Sequence, residues 1–232
     1  VKYLRDKQPE IVFAMPSYFN LIAIWARALA GVQSKIIIGE HNICSLETKI
    51  EQGEKLKIRY LPLLMRYVYP AGDGLIGVCG DTLKDLATEM NIKPDIPLKV
   101  IPNPIDVKQI QQLAQESLDC PWFEDNSPVI LTVARMAKQK QLDLLIRAVA
   151  KARETIPVKL IILGDGLLKD KLQALCDELD IQEAVSMPVY VHNLYRYMKA
   201  CDLFVLYSAW EGCPVALEEA LACGAAVIVN DA

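Results

Sequence analysis

The sequence predicts an α/β protein of two Rossmann-like domains, and three observations carry that prediction. Short apolar runs rich in Val, Ile and Leu recur along the chain, without the alternation of a half-exposed strand. Parallel strands covered on both faces read this way. Helical patterns separate the runs, which is the strand–helix alternation of a doubly wound sheet. The pattern then breaks across a glutamine-rich polar stretch, residues 107–127, and starts again. We therefore divide the chain into a first domain over 1–106, a linker over 107–127 and a second domain over 128–232.

Taken in order, strands are expected at 11–15, 35–39, 75–78 and 98–101. Helices are expected over 18–30, stopped by Gly31, and over 56–69, bent by Pro62. Another is expected over 81–90, with Asp81 as its cap. In the second domain the strands fall at 129–133, 158–163, 185–191, 203–206 and 226–229. The helices there fall at 142–154, 169–179, 194–200 and 215–223. Pro214 suits the first position of the last helix and Gly224 its left-handed stop.

Composition excludes several classes. The chain has 232 residues and is 53% hydrophobic, so it can bury a sizeable core. A net charge of −4 argues against a general nucleic-acid binder. The richest apolar run, residues 21–30, is too short for a membrane span and carries Arg27. The opening VKYLRDK is charged and is no signal peptide. Seven cysteines, an odd count without a CxxC pair, read as reduced thiols of a cytoplasmic protein and chiefly as small core residues. The chain opens on Val1 and stops at Ala232 just after an apolar run, so a fragment is expected.

Ligands of parallel sheets bind outside the carboxyl ends of the strands. His41, Arg135, Gly164 and Glu211 fall at such ends, which points to one site between two domains. In SAWEGCPVALEEA, residues 208–220, Glu211 precedes the helix and Glu219 lies within it. The helix start offers the amides of Val215 and Ala216 to an anion. Carboxylates for hydroxyls beside amides for a phosphate suit a sugar nucleotide. Glu218 reads as a solvated neighbour. Arg135, Lys138 and Lys140 follow a strand, as a diphosphate site or as a solvated loop. Gly164-Asp-Gly166 is a tight turn; Lys169 stands where a dinucleotide fingerprint needs its third glycine, which counts against an NAD-type oxidoreductase. His41 alone would be a structural histidine, but its place between a buried strand and a Cys/Ser-bearing loop gives it a site role. His192 reads as positional, and no spacing suggests a bound metal.

These residues resemble the retaining glycosyltransferases of glycosyltransferase family 4, which have the GT-B fold of two Rossmann-like domains facing a cleft. The family's S-x-x-E-G-x-P-x-x-x-x-E-A context is matched by residues 208–220, its G-R-L-x-x-x-K segment by ARMAKQK at 134–140, its I-x-N-x-x-D element by IPNPID at 101–106, and its G-x-G turn by residues 164–166. The resemblance implies an acceptor-side first domain and a nucleotide-sugar-binding second domain, both incomplete here. It implies that Arg135 and Lys140 hold the donor diphosphate, and that Glu211, with the backbone of Gly212, Cys213 and Pro214, meets the transferred sugar. Val215 and Ala216 amides would meet a phosphate, Glu219 the ribose hydroxyls, and Val191 would lie by the base. His41 would sit near the donor sugar and the attacking acceptor. The implied reaction is transfer from a nucleotide-diphosphate sugar, UDP being the family's commonest choice of nucleotide, to a lipid, saccharide or other acceptor. Configuration is retained by front-face attack, with neither metal nor other cofactor. Departures from the family are Ala134 for Gly before Arg135, Cys213 for an aromatic, Cys79 for Ser, and Met187-Pro188 for a Gly-bearing turn.

The resemblance places the protein in the cytoplasm or at the inner face of the membrane. Lys49, Lys55, Lys57, Arg59 and Arg66 form a basic run that suits peripheral membrane contact, or, with Glu47, Glu51 and Glu54 interleaved, a solvated surface. The fragment alone is expected to turn over poorly. An inactive sugar-nucleotide-binding relative and a nucleotide-sugar epimerase are the alternatives.

Overall fold

The computed structural model describes residues 1–51 and 56–231. The chain forms two compact units, Val1–Asn103 with Trp210–Cys213, and Pro104–Ala209 with Pro214–Ala232.

The first unit runs α1 (Lys2–Lys7), β1 (Ile11–Ala14), α2 (Ser17–Ala30), β2 (Lys35–Glu40), α3 (Cys44–Glu51), α4 (Leu56–Val68), β3 (Gly74–Gly77), α5 (Gly80–Thr88) and β4 (Leu98–Val100). Its four strands are parallel in the order β1-β2-β3-β4. A monotonic order with right-handed crossovers lays every connecting helix on one face. The side chains agree. Ile36, Ile38 and Leu75 are buried under α2, α4 and α5. Phe13 pairs in register with Ile37 on the other face. Ile11 and Phe13 there are 60% and 53% exposed, and Ile37 and Ile76 are half-buried. The expectation of a sheet covered on both faces therefore fails in this unit among the described residues.

Gly31 closes α2 at φ 66°, in the left-handed region, and Pro62 lies inside α4. α3 falls where the sequence predicts a Cys/Ser-bearing loop. It faces the core with Cys44, Ser45 and Thr48, and its start is held by Asp85 of α5, whose Oδ2 accepts Ser45 N–H at 3.0 Å. A cap supplied from elsewhere in the fold has no local sequence signal. α5 starts at Gly80 with Cys79 at the cap position, so Asp81 stands in the first turn rather than capping it.

The second unit runs α6 (Val107–Leu113), β5 (Val129–Val133), α7 (Leu142–Ala152), β6 (Lys159–Leu163), α8 (Lys169–Glu178), β7 (Val185–Ser186), α9 (Tyr195–Ala200), β8 (Leu203–Leu206), α10 (Val215–Ala222) and β9 (Val227–Val229). All five strands are parallel, in the order β7-β6-β5-β8-β9. Here both faces are covered. Leu160, Ile162 and Val205 pack with Leu145, Ile146 and Leu172 on one side. Leu131, Ile161, Leu163 and Phe204 pack with Ile110, Met198 and Ala220 on the other.

Residues 107–127, expected as a linker, contain α6, which Asp106 caps by accepting Gln109 N–H at 3.0 Å. Ile110 and Ala114 are buried in the second unit's core, and the chain divides at Asn103/Pro104. β7 pairs over only two residues where a strand to residue 191 was expected. Pro188 lacks the N–H that a longer ladder would need. Glu54 and Lys55 of the basic run lie outside the described residues, as do the side chains of Glu51, Lys57 and Arg59.

Candidate functional site

In the second unit β5 and β8 are neighbours, yet the chain winds outward from them in opposite directions, to β6 and β7 on one side and β9 on the other. This is a topological switch point, where the loops beyond two adjacent strands part and leave a crevice. Arg135 follows β5 and Ser208 follows β8, so the fold delivers two predicted motifs to the same end of the sheet. They are also bonded: Ala209 N–H donates to Gln139 O at 2.7 Å. Lys138–Lys140 form one 3-10 turn. Arg135 is exposed and Lys140 half-buried.

The Gly164-Asp-Gly166 turn explains itself through its neighbour. Ala134 N–H donates to Leu163 O at 3.0 Å and Met136 N–H to Asp165 O at 2.8 Å, continuing the β5–β6 ladder past the strand ends. Gly164 has φ 145°, and a Cβ there would overlap the carbonyl oxygen of Ala134; one on Gly166 would overlap that of Met136. The two glycines let the backbone press against the segment that carries Arg135.

Pro214 is the cap residue of α10, with φ −74° and ψ 105°, and the first helical residue is Val215. The expected Pro at the first helical position thus sits one residue earlier. Its carbonyl accepts Leu217 N–H at 3.0 Å. Val215 and Ala216 present their amides at the open helix end, as first-turn residues do. Ser208 is clamped from the next strand: its N–H donates to Asn230 Oδ1 at 3.0 Å, and Asn230 Nδ2 donates to Ser208 O at 2.7 Å. Glu219 is half-buried and accepts a hydrogen bond from Tyr195 at 3.0 Å. Burial raises its pKa, the Tyr195 hydrogen bond pulls it down, and the charge of Glu218 adds to the rise. Glu218 is itself half-buried with one carboxylate oxygen enclosed, not the solvated neighbour expected. Val191 is half-buried against the α6–α9–α10 side of the core, and His192 is exposed.

Glu211, Gly212 and Cys213 group with the first unit. Within it, Cys79 Sγ donates to Gly212 O and Asn103 Nδ2 to Cys213 O, each at 3.2 Å. A Cβ on Gly212 would overlap the carbonyl oxygen of His41. His41 is half-buried, with Nε2 against Met15 Sδ.

Next to His41 in the chain, Glu40 anchors a buried cluster that no spacing in the sequence singles out. Glu40 accepts from Ser17 Oγ at 2.8 Å, Asn20 Nδ2 at 2.9 Å, Cys44 Sγ at 3.3 Å, and Tyr69 Oη. Burial raises the Glu40 pKa against the pull of these donors. Asn193, Tyr195 and Asn230 were also missed. Asn and Tyr outside a spaced motif carry no signal until their partners are known.

Residues 121–232 match the family described as glycosyl transferases, group 1. The chain is 33% identical over 212 residues to N-acetylgalactosamine-N,N'-diacetylbacillosaminyl-diphospho-undecaprenol 4-alpha-N-acetylgalactosaminyltransferase of Campylobacter jejuni, covering 91% of this chain and 55% of that relative. It is 26% identical over 241 residues to UDP-Gal:alpha-D-GlcNAc-diphosphoundecaprenol alpha-1,3-galactosyltransferase of Escherichia coli, covering 99% of this chain and 60% of that one. The crystal structure of Anabaena HepE in complex with UDP and glucose superposes with a TM-score of 0.75 at 20% identity, covering 96% of this chain and 59% of that one. The chain thus spans a little over half the length of these relatives.

Proposed function

We propose that this chain, which belongs to the group 1 glycosyl transferases and has their GT-B type of α/β fold, serves a metal-independent transfer of a sugar from a UDP-sugar to a lipid-linked saccharide, with the anomeric configuration retained. The observation that carries the reading is the switch point of the second unit. Arg135 and the Lys138–Lys140 turn beyond β5, the amides at the start of α10 and the Glu219 carboxylate lie around the carboxyl ends of adjacent parallel strands. Cations and helix amides suit a diphosphate. A carboxylate suits the paired hydroxyls of a ribose. Two relatives are named for diphospho-undecaprenol-linked substrates, and one solved relative was crystallised with UDP.

In this reading Arg135 and Lys140 stabilise the charge that gathers on the departing diphosphate, the electrostatic task a metal performs elsewhere. Val215 and Ala216 amides meet a phosphate, Val191 borders the base, and Glu219 takes the ribose. Glu211 and the backbone of Gly212, Cys213 and Pro214 serve the transferred sugar, and His41 serves the sugar and the incoming hydroxyl. A membrane-side location belongs to the same reading. α2 exposes Tyr18, Ile22 and Trp25, and α4 exposes Tyr60, Leu64 and Tyr67. Aromatic side chains with polar tips favour the lipid–water interface.

The test is calorimetric titration of the purified chain with UDP, UDP-N-acetylgalactosamine and NAD, with and without chelator. UDP and the UDP-sugar should bind regardless of chelator, and NAD should not. Incubation of the UDP-sugar with a polyprenyl-diphosphate saccharide, read by NMR of the anomeric proton, then tests transfer and retention. Absence of binding by any nucleoside diphosphate would sink the reading; conversion of the donor, without acceptor, to a UDP-sugar epimer with its diphosphate bond intact would replace it with the epimerase.

A further inference from the structure

Glu219 belongs to a chain of hydrogen bonds within the second unit. Tyr195 Oη donates to Glu219 Oε1 at 3.0 Å. Tyr195 is the first residue of α9, and its N–H donates to Asn193 Oδ1 at 3.0 Å. Asn193, only 5% exposed, is fixed in turn. Its Nδ2 donates to Leu113 O at 2.8 Å and to Glu116 Oε2 at 2.9 Å, at the end of α6. The phenol is thus held at its backbone by a buried amide, and that amide is held by another element.

We propose that Tyr195 is the positioning residue of the nucleotide site: it fixes the Glu219 carboxylate in one rotamer, with Oε1 occupied by the phenol and Oε2 directed to the ribose hydroxyls. This rests on the reading of Glu219 given above. The physical reason is pre-organisation. A glutamate side chain has several rotatable bonds, and a ligand that must order it spends binding energy on doing so. A phenol already bonded to one oxygen has done that ordering before the nucleotide arrives. The phenol O–H donates to Oε1, so the pair leaves Oε2 to accept hydrogen bonds from the ribose hydroxyls. Burial keeps Tyr195 protonated, since it raises a pKa that the hydrogen bond to Glu219 raises further. Asn193 fixes where the phenol stands.

The experiment compares UDP with 2′-deoxyuridine diphosphate by calorimetry on the wild-type chain, Tyr195→Phe, Glu219→Gln and the double variant, with a thermal melt of each. Tyr195→Phe should lower the preference for UDP by about 3- to 10-fold, the scale of ordering one long side chain, while the melt stays close to wild type. Glu219→Gln should abolish the preference, and the double variant should lose nothing beyond Glu219→Gln, since the phenol acts only through that carboxylate. If Glu219→Gln abolishes the preference and Tyr195→Phe leaves it intact, the positioning role is wrong and the reading of Glu219 stands. If Glu219→Gln leaves the preference intact, the reading of Glu219 fails and the inference falls with it. If Tyr195→Phe weakens both nucleotides equally and lowers the melt, the phenol only supports the fold, and the inference is overturned.

Discussion

Glu40 offers the sharpest test of how the first unit is held together. Four donors converge on its carboxyl group, Asn20 and Tyr69 on Oε1, Ser17 and Cys44 on Oε2. Removing the group by Glu40→Ala strands the Tyr69 O–H, since Asn20 Nδ2 keeps Gly39 O at 2.9 Å, Ser17 Oγ and Cys44 Sγ face each other at 3.7 Å, and the thiol also reaches Asn42 O at 3.7 Å. At about 1–3 kcal/mol for a buried polar group left unsatisfied, the loss should reach about 1–3 kcal/mol. Glu40→Gln is milder and more informative. Its amide oxygen replaces Oε1, and its NH2 can donate to Ser17, whose hydroxyl rotates to accept; the cost should be about 1 kcal/mol where Glu40 is protonated. Burial raises the Glu40 pKa from 4.5, so the folded state binds the proton more tightly than the unfolded chain. The stability this confers is complete below 4.5 and is lost as pH rises through the folded value. The wild type should lose about 1.4 kcal/mol per pH unit across that window, and Glu40→Gln should not. Urea unfolding of both proteins at pH 4 and pH 8, followed by circular dichroism, reads the difference directly. The gap should narrow or reverse at the higher pH. An identical gap at both values would show that Glu40 titrates alike in both states and that burial does not govern it.

Gly164→Ala should cost about 2–4 kcal/mol in a thermal or urea melt, since its φ of 145° is strained for any side chain and the new Cβ would overlap Ala134 O. Gly31→Ala, at φ 66° with nothing near the Cβ, should cost only about 1–2 kcal/mol; equal losses at the two sites would discount the close approach. Brief alkylation read by mass spectrometry should label half-buried Cys79, Cys120 and Cys213 before buried Cys44, Cys176, Cys201 and Cys223. Burial pushes the thiol pKa to about 11 in Cys176 and Cys223 and about 12 in Cys201, so early labelling of any of these would contradict the packing. Anionic vesicles carrying brominated acyl chains should quench Trp25 fluorescence, with Trp25→Phe as the control; unchanged emission would remove the lipid-facing part of the proposed function.

The second unit was legible because its signals are local. Continuous apolar runs gave β5, β6 and β8, and the glycines, Pro214 and the paired glutamates each announce a backbone need or a charge. Strand order was not legible: nothing in the runs says that β8 returns to the side of β5, and the switch point depends on that return. α3 was missed because its cap comes from Asp85, forty residues away in sequence. Residues 107–127 read as a linker because their polar composition outweighs Ile110 and Ala114, two apolar residues one helical turn apart that anchor α6 in the core. Pro188 shows the reverse failure, where an apolar run overrode a residue that cannot continue a ladder.

Ala134 stands where the family has glycine ahead of Arg135, and the close backbone approach here falls on a different residue. Ala134 is buried, and the atom that a Cβ at Gly164 would meet is its carbonyl oxygen. The residue that must lack a side chain is the partner, Gly164, which faces that oxygen from β6. A methyl group at 134 is therefore compatible with the paired backbone, whereas one at 164 is not. The two motifs act as halves of a single packing requirement: the glycine-bearing turn after β6 packs backbone to backbone against the segment after β5 that carries Arg135. A reciprocal exchange follows as a test. Ala134→Gly should leave the melt within about 1 kcal/mol of wild type, the entropic cost of glycine alone. It should not rescue Gly164→Ala, because the clash involves the Ala134 carbonyl, which glycine also carries. Rescue of Gly164→Ala by Ala134→Gly would mean that side-chain volume, not backbone approach, sets the geometry at this end of the sheet.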